Sequence, residues 1–565
     1  MPLKQALLAS VALSMMVVAC ASPPSQSTSQ TSSSSSATVS SPVAPKRIVA
    51  AMMGNPPTPI EKAIGGGSGG RIPGITGLQQ LVGAGLTIQD DKGTHLPLLA
   101  EQVPTIENGL WKLLPNGRME ITWKIRQGAQ WHDGTPFGSA DLVFTSIVEQ
   151  DRDLPFERNP AYRVIDTIEA ADPQTIVVTW KQPYILADQF YIGPSLPKHI
   201  LERPYADAKE SFQSLPYWNV EFIGNGPYRI KEWTRDSHTV LQASDGWVTG
   251  RPKIDEIEVR FLADENAFMA NILANHVDVT IGKSITLEQT LSLRDRWNNG
   301  HIESTPETTM KMWPQFVNTN PQIITNVQFR KAMMHAINRQ EMVDTIMGGL
   351  STIAHSLLLP TDREIGAIDS AVVKYEYDPR RTIQMIEGLG YSKSGDAPFR
   401  DSSGVPLAVQ ITSTDEDQNT KPMFTVAEYW QKAGVTTETV VIPVQRQQDR
   451  EYRATFPGFA LQGGGSGVIA VPNTLGSQSR LPENNFTGSN YARYQNPEYD
   501  ALVDKYLTTI PEHDRIEALR VVMHAMTDQL NLMTLYYATS STMISNRMVN
   551  AGRDPTWNAP QWDVR

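Results

Sequence analysis

Four short stretches of this 565-residue chain carry residue types that could do chemistry. Gly66-Gly67-Ser68-Gly69-Gly70 matches the G-x-S-x-G pattern in which a serine is exposed on a tight strand-to-helix turn. A glycine run precedes it and Pro73-Gly74 follows where the helix must start, so a serine esterase is the remote reading and a flexible or ligand-facing glycine loop the leading one. His132-Asp133 could serve acid–base or metal chemistry, but Trp131-His132-Asp133-Gly134-Thr135-Pro136 reads as a turn after a strand. The ten histidines include no H-E-x-x-H and no pair at i, i+4, so no zinc site is legible. Gly83 and Gly85 lack the third glycine of a dinucleotide loop, and no phosphate-binding P-loop occurs. A second glycine loop, Gly463-Gly464-Gly465-Ser466-Gly467, mirrors the first. Glycine runs of this kind are surface loops or allow close backbone approach to a ligand, and no catalytic residue, cofactor or metal ligand is expected.

The single cysteine, Cys20, excludes an intrachain disulfide and a multi-thiolate metal site. Lys4 and the apolar run from Ala6 to Ala19 precede it, a run too short for a membrane span of about 20 residues. Val17-Val18-Ala19-Cys20 resembles the lipobox of bacterial lipoproteins. Residues 1–19 therefore read as a signal peptide, Cys20 as the lipidation site, and 20–45, rich in serine and free of charge until Lys46, as a tether. The body is expected outside the cytoplasm, in the periplasm or on the outer face of the cell membrane. Asp and Glu outnumber Lys and Arg by 60 to 49, which argues against a nucleic-acid partner.

The elements that must position these loops are mixed. Met119, Ile121, Trp123 and Ile125 alternate with polar residues, as do Ile257, Val259 and Phe261, and Val405, Leu407, Val409 and Ile411. Asp378-Pro379 and Asn496-Pro497 are helix starts, and Asn338 with Glu341 forms a capping-box variant. Strands and helices interleave in both halves, giving an α/β (mixed α+β) class in two or three domains.

Several of these segments occur together in one family. Leu99-Ala100-Glu101, Ile121-Thr122-Trp123-Lys124-Ile125-Arg126-Gln127-Gly128 through His132-Asp133-Gly134-Thr135-Pro136-Phe137, and Asp141-Leu142-Val143-Phe144 resemble the signature of extracellular solute-binding protein family 5. Gly224-Asn225-Gly226-Pro227-Tyr228, Arg330 to Arg339, Tyr377-Asp378-Pro379 with Leu389-Gly390-Tyr391, and Tyr494 to Asp500 are similar to its later motifs, in the same order. The resemblance implies a two-lobed periplasmic-binding-protein-like fold with an inserted domain and a hinged cleft. Lobe I would comprise 46–75, 186–305 and 531–565, the inserted domain 76–185, and lobe II 306–530, with chain crossings near 303–313 and 528–540 as the hinge.

It further implies a monomeric, non-catalytic receptor that passes a small solute, foremost an oligopeptide, to the permease of an ABC importer. An oligosaccharide or metal chelate as ligand, and a signalling role, are the alternatives. By position, ligand would meet Gly66, Gly67, Ser68, Gly463, Gly464, Gly465 and Ser466, with Trp313, Asn490, Tyr491 and Arg493 as further candidates. Peptide-binding members usually place an aspartate in the second-lobe loop to pair with the peptide's ammonium. Residues 459–476 contain no acid, so either the carboxylate comes from elsewhere or the ligand presents no buried ammonium, and weak discrimination between a free and an acetylated peptide N-terminus is the expectation.

Overall fold

The computed structural model describes residues 44–64, 72–151, 153–154, 159–282, 284–447, 449–552 and 555–565. The signal segment, Cys20, the tether up to residue 43, and Gly66, Gly67 and Ser68 lie outside the described residues.

A ten-stranded sheet runs through the body. From one edge its strands are Thr436–Val441, Ala408–Ser413, Phe459–Gln462, Gly300–Pro314, Met533–Ser545, Val279–Thr280, Arg47–Met52, Glu256–Phe261, His238–Ala243 and Tyr228–Thr234. Parallel pairs lie in both halves: Ala408–Ser413 with Thr436–Val441, and Arg47–Met52 with Glu256–Phe261. Each such pair needs a crossover; in the first case it is the helix Asp417–Ala433. Alternation places Ile257, Val259 and Phe261 in the core, and likewise Leu407, Val409 and Ile411. Val405 does not follow its pattern: the strand starts at Ala408, and Val405 is exposed.

The two central strands are the longest, at 15 and 13 residues. They pair antiparallel from Gly300 opposite Ser545 to Met312 opposite Met533. The rest of the sheet attaches at opposite ends of this ribbon. Phe459–Gln462 pairs with residues 311–314, whereas Val279 pairs with Ile544 beside the other end. Apart from single bridges at Ile285 to Ser541 and Ile353 to Tyr536, the middle is a two-stranded ribbon. The register shifts there between Pro306 and Thr308. Pro306 has no N–H to give to the ladder, and proline inside a strand is confined to such irregularities.

A second sheet of four strands, in the order Trp111–Leu113, Met119–Lys124, Thr175–Trp180, Ile165–Asp172, stands apart from the large one. Its inner face carries Met119, Ile121, Trp123, Ile176, Val178 and Trp180, all fully buried. His132 fastens this sheet to the body. Its Nδ1 accepts from Gly224 N at 3.2 Å and its Nε2 lies 3.0 Å from the Gly226 carbonyl, so the ring is neutral and protonated on Nε2. Gly224 must be glycine, because a Cβ there would come within 2.0 Å of the Val82 carbonyl oxygen. His132-Asp133 is thus engaged in joining two parts of the chain.

Burial lowers the pKa of His132 from 6.5 to about 4. Above pH 6.5 the ring is neutral in both states and contributes no pH dependence. Between 6.5 and about 4 only the unfolded chain takes up the proton, so stability falls with pH over that window, by about 3 kcal/mol at 1.36 kcal/mol per unit. Chemical denaturation of wild type and His132→Gln between pH 7 and 4.5 should show a shallower acid loss in the variant. Parallel losses would contradict a buried neutral His132.

Candidate ligand-binding site

One large cavity, of about 2280 Å³, lies over the middle of the central ribbon. Thr305–Thr308 and Met310 from one strand, with Tyr536 and Ala538–Ser540 from the other, form its floor. Residues of the helix Ile75–Val82 and of 285–289 line one side, and Leu359–Glu364, Glu416–Lys421 and Gly464–Ile469 the other. Asp90, Asp91, Tyr184 and Asp188 approach from the part of the chain that carries the four-stranded sheet. The volume exceeds the 300–1,000 Å³ usual for a drug-sized ligand.

The second glycine loop is held by an unusual clip. Lys311, 2 % exposed, donates from Nζ to the carbonyls of Gly464 at 2.7 Å and Gly465 at 2.6 Å. Ser466 Oγ accepts from Thr309 N at 2.6 Å and donates to the Gly464 carbonyl at 2.9 Å. Asn419 Oδ1 takes the Gly463 N–H at 3.1 Å. Gly467, at φ 78, needs the left-handed backbone, and a Cβ there would lie 3.1 Å from both carboxylate oxygens of Asp362. The loop has no acid of its own, yet Asp362 stands directly against it. Burial raises the Asp362 pKa to about 6, the Leu359 backbone N–H opposing that rise.

Residues 99–480 match the family model of bacterial extracellular solute-binding proteins, family 5. The chain belongs to that family. The oligopeptide-binding protein AppA of Bacillus subtilis is 22 % identical to this family 5 chain over 440 residues, 76 % of this chain and 75 % of AppA. The structure of AppA with a nonapeptide superposes with a TM-score of 0.67 at 19 % identity, over 92 % of this chain and 100 % of that one. NikA of Brucella suis in complex with Fe(III)-EDTA gives 0.72 at 17 % identity, over 92 % and 100 %. The fold of this family 5 protein is accordingly the two-lobed one with a hinged cleft.

Of the residues singled out from sequence, Gly464, Gly465 and Ser466 line the cavity, and Gly463 leads into it. Trp313, Asn490, Tyr491 and Arg493 do not. Trp313 sits at the end of its strand, opposite Ala460, where it packs on Tyr491 at 5.8 Å. Tyr491 in turn lies under the Arg480 guanidinium, 3.5 Å from the ring centre. The Asn490 amide donates to the carbonyls of Thr474, Leu475 and Tyr494, which leaves no donor for a ligand. Arg493 is 4 % exposed, at φ 58. Sequence reasoning missed Lys311, Asp188 and Asp362. Lys311 had a signal, a lone charge inside Met310-Lys311-Met312-Trp313; Asp188 and Asp362 had none.

Burial lowers the Lys311 pKa from 10.5 to about 7. Between about 7 and 10.5 the unfolded chain holds the proton more tightly, so the cost of burying the amine is fully present below pH 7 and vanishes as pH rises through 10.5. The wild type should therefore gain stability from pH 7 to 10 relative to Lys311→Met, whose volume is similar. In the same variant, amide exchange of Gly464–Gly467 should accelerate as the clip is lost. Identical pH profiles, or unchanged exchange, would contradict this role.

Proposed function

We propose that this protein captures an oligopeptide outside the cytoplasm, encloses it between two lobes, and delivers it to the permease of an ABC importer. The observation that carries this reading is the cavity of about 2280 Å³ laid across the narrow ribbon that joins the two halves of the sheet. Closure of such halves around a ligand is a hinge motion, driven by contacts that exist only in the closed state. On this reading lobe I comprises 46–75, 186–305 and 531–565, the inserted domain 76–185, with the four-stranded sheet inside it, and lobe II 306–530. The protein acts as a monomer, with no catalytic residue and no cofactor.

Asp362 supplies the carboxylate that the second-lobe loop lacks. Residues 459–476 alone suggested weak discrimination at the peptide N-terminus; with Asp362 against Gly467 the reading is the opposite. An ammonium enclosed between lobes is costly unless paired. Acetylation of a bound peptide should then cost 100-fold or more in Kd, about 2.7 kcal/mol, as measured by calorimetry on a matched pair. Equal affinities would contradict it.

The anchor is the lipid on Cys20, which several acyl chains would make stable where one would not. Among the described residues no helix is long and apolar enough to cross a membrane. Cys20→Ser should move the protein from the detergent phase to the aqueous phase or leave it unprocessed, and unchanged partitioning would contradict the lipoprotein reading. Mass spectrometry of material released by denaturation tests the ligand class. Peptides are expected, whereas a sugar or a metal chelate would overturn the peptide reading.

A further inference from the structure

The charge of the cavity wall departs from that of the whole chain. Among the described residues, and leaving aside Glu61 and Glu307, which have partners of their own, the wall carries nine Asp and Glu against three Lys and Arg, where the chain as a whole has 60 against 49. The three cations are already engaged. Lys421 Nζ lies 2.9 Å from Glu288 and 3.0 Å from Asp417, Arg363 pairs with Glu512 at 3.0 Å, and Arg515 donates to the Ile510 carbonyl at 2.8 Å. No cation among the described residues stands within 4.0 Å of Asp188, Glu265, Asp362, Glu364 or Glu416. Asp188 is the most exposed to this deficit: its Oδ1 is buried and accepts no hydrogen bond. Burial raises its pKa to about 6 even though Arg515 and Arg363 act against the rise.

Unpaired carboxylates in a concave, partly dry site are costly, and their mutual repulsion adds to that cost. Low-dielectric walls also focus their field outward, which concentrates cations at the mouth. A single metal ion does not answer the deficit, because among the described residues no three His, Cys, Asp or Glu converge closely enough to hold one. The carboxylates are spread along the wall. Asp188 and Glu364 both line the cavity and are near enough for the charge of Glu364 to act on Asp188, and Glu265 and Glu416 belong to the other elements that line it. Dispersed charge of this kind matches a flexible ligand whose cationic groups are spaced along its length.

We infer that the solute is polycationic, a peptide with several Lys or Arg side chains, read by Asp188 and Glu364 at one end of the cavity and by Glu265 and Glu416 elsewhere on its wall. The inference rests on the solute-binding reading above and deepens it. Asp362 is reserved there for a terminal ammonium; the other four carboxylates are left for side chains. The same field disfavours anionic solutes, among them metal complexes of EDTA.

The test is calorimetry on refolded, ligand-free protein with three peptides of one length and backbone, bearing Lys, Gln or Glu side chains, and with a linear aliphatic triamine. The Lys peptide should bind at least 10-fold more tightly than the Gln peptide, about 1.4 kcal/mol, and the Glu peptide should bind most weakly. The preference should shrink as salt rises from 50 to 500 mM. In Asp188→Asn/Glu364→Gln the Lys peptide should lose at least 5-fold while the Gln peptide is unchanged, which separates lost charge pairing from lost folding. Equal binding of Lys and Gln peptides would overturn this inference and leave the oligopeptide reading intact. Binding of the triamine with no binding of any peptide would support the cationic class and overturn the oligopeptide reading. If nothing cationic binds, the inference fails.

Discussion

The antiparallel pairing of Gly300–Pro314 with Met533–Ser545 is the constraint on which the rest of the molecule depends. Among the described residues these strands carry the stretch of the large sheet that both halves share, and the halves attach to them at opposite ends. Over its middle the ribbon has few lateral neighbours, and two-stranded ribbons twist more readily than wide sheets. Pro306 interrupts the ladder at that point. The same residues, 305–308 with 538–540, form the cavity floor. On the proposed closure, hinge and binding surface are one piece of backbone, so a ligand that touches the floor would act directly on the element whose bending closes the cleft.

Much of this was legible in the sequence because local physics decides it. The alternation over Met119–Ile125 and the Asp378 and Asn496 caps each depend on neighbours in sequence, whereas the Gly224-Asn225-Gly226 turn was legible only as a motif and its close approach to Val82 is tertiary. The caps form as the residue types require, Asp378 accepting from Arg381 N at 2.9 Å and Asn496 from Glu498 N at 2.9 Å. Cleft residues were less legible because they come from segments hundreds of positions apart. Asp362 meets Gly467, and Asp188 joins the same cavity wall, only through tertiary folding, and nothing in the residues around either aspartate marks it. Trp313 and Tyr491 have the amphipathic rings of a binding site, yet the packing of residues 474–494 turns both into that region's own core.

The electrostatics of the cavity are organised by burial more than by pairing. Lys311 is held by carbonyl dipoles without a carboxylate, and so keeps the glycine loop in place without adding a fixed positive charge to the wall. On the cavity wall, Asp188 and Asp362 have their pKa raised by the same cause. An empty cleft of this kind is under electrostatic strain that an oppositely charged ligand relieves, and such differential interaction is what a two-state closure requires.

Small-angle scattering on protein stripped of ligand by unfolding and refolding tests the hinge most directly. Addition of a saturating Lys-containing peptide should reduce the radius of gyration and raise stability, by about 2.7 kcal/mol when ligand is at 100 times its Kd. Binding that is detected by calorimetry but leaves the radius of gyration unchanged would contradict closure about the central ribbon.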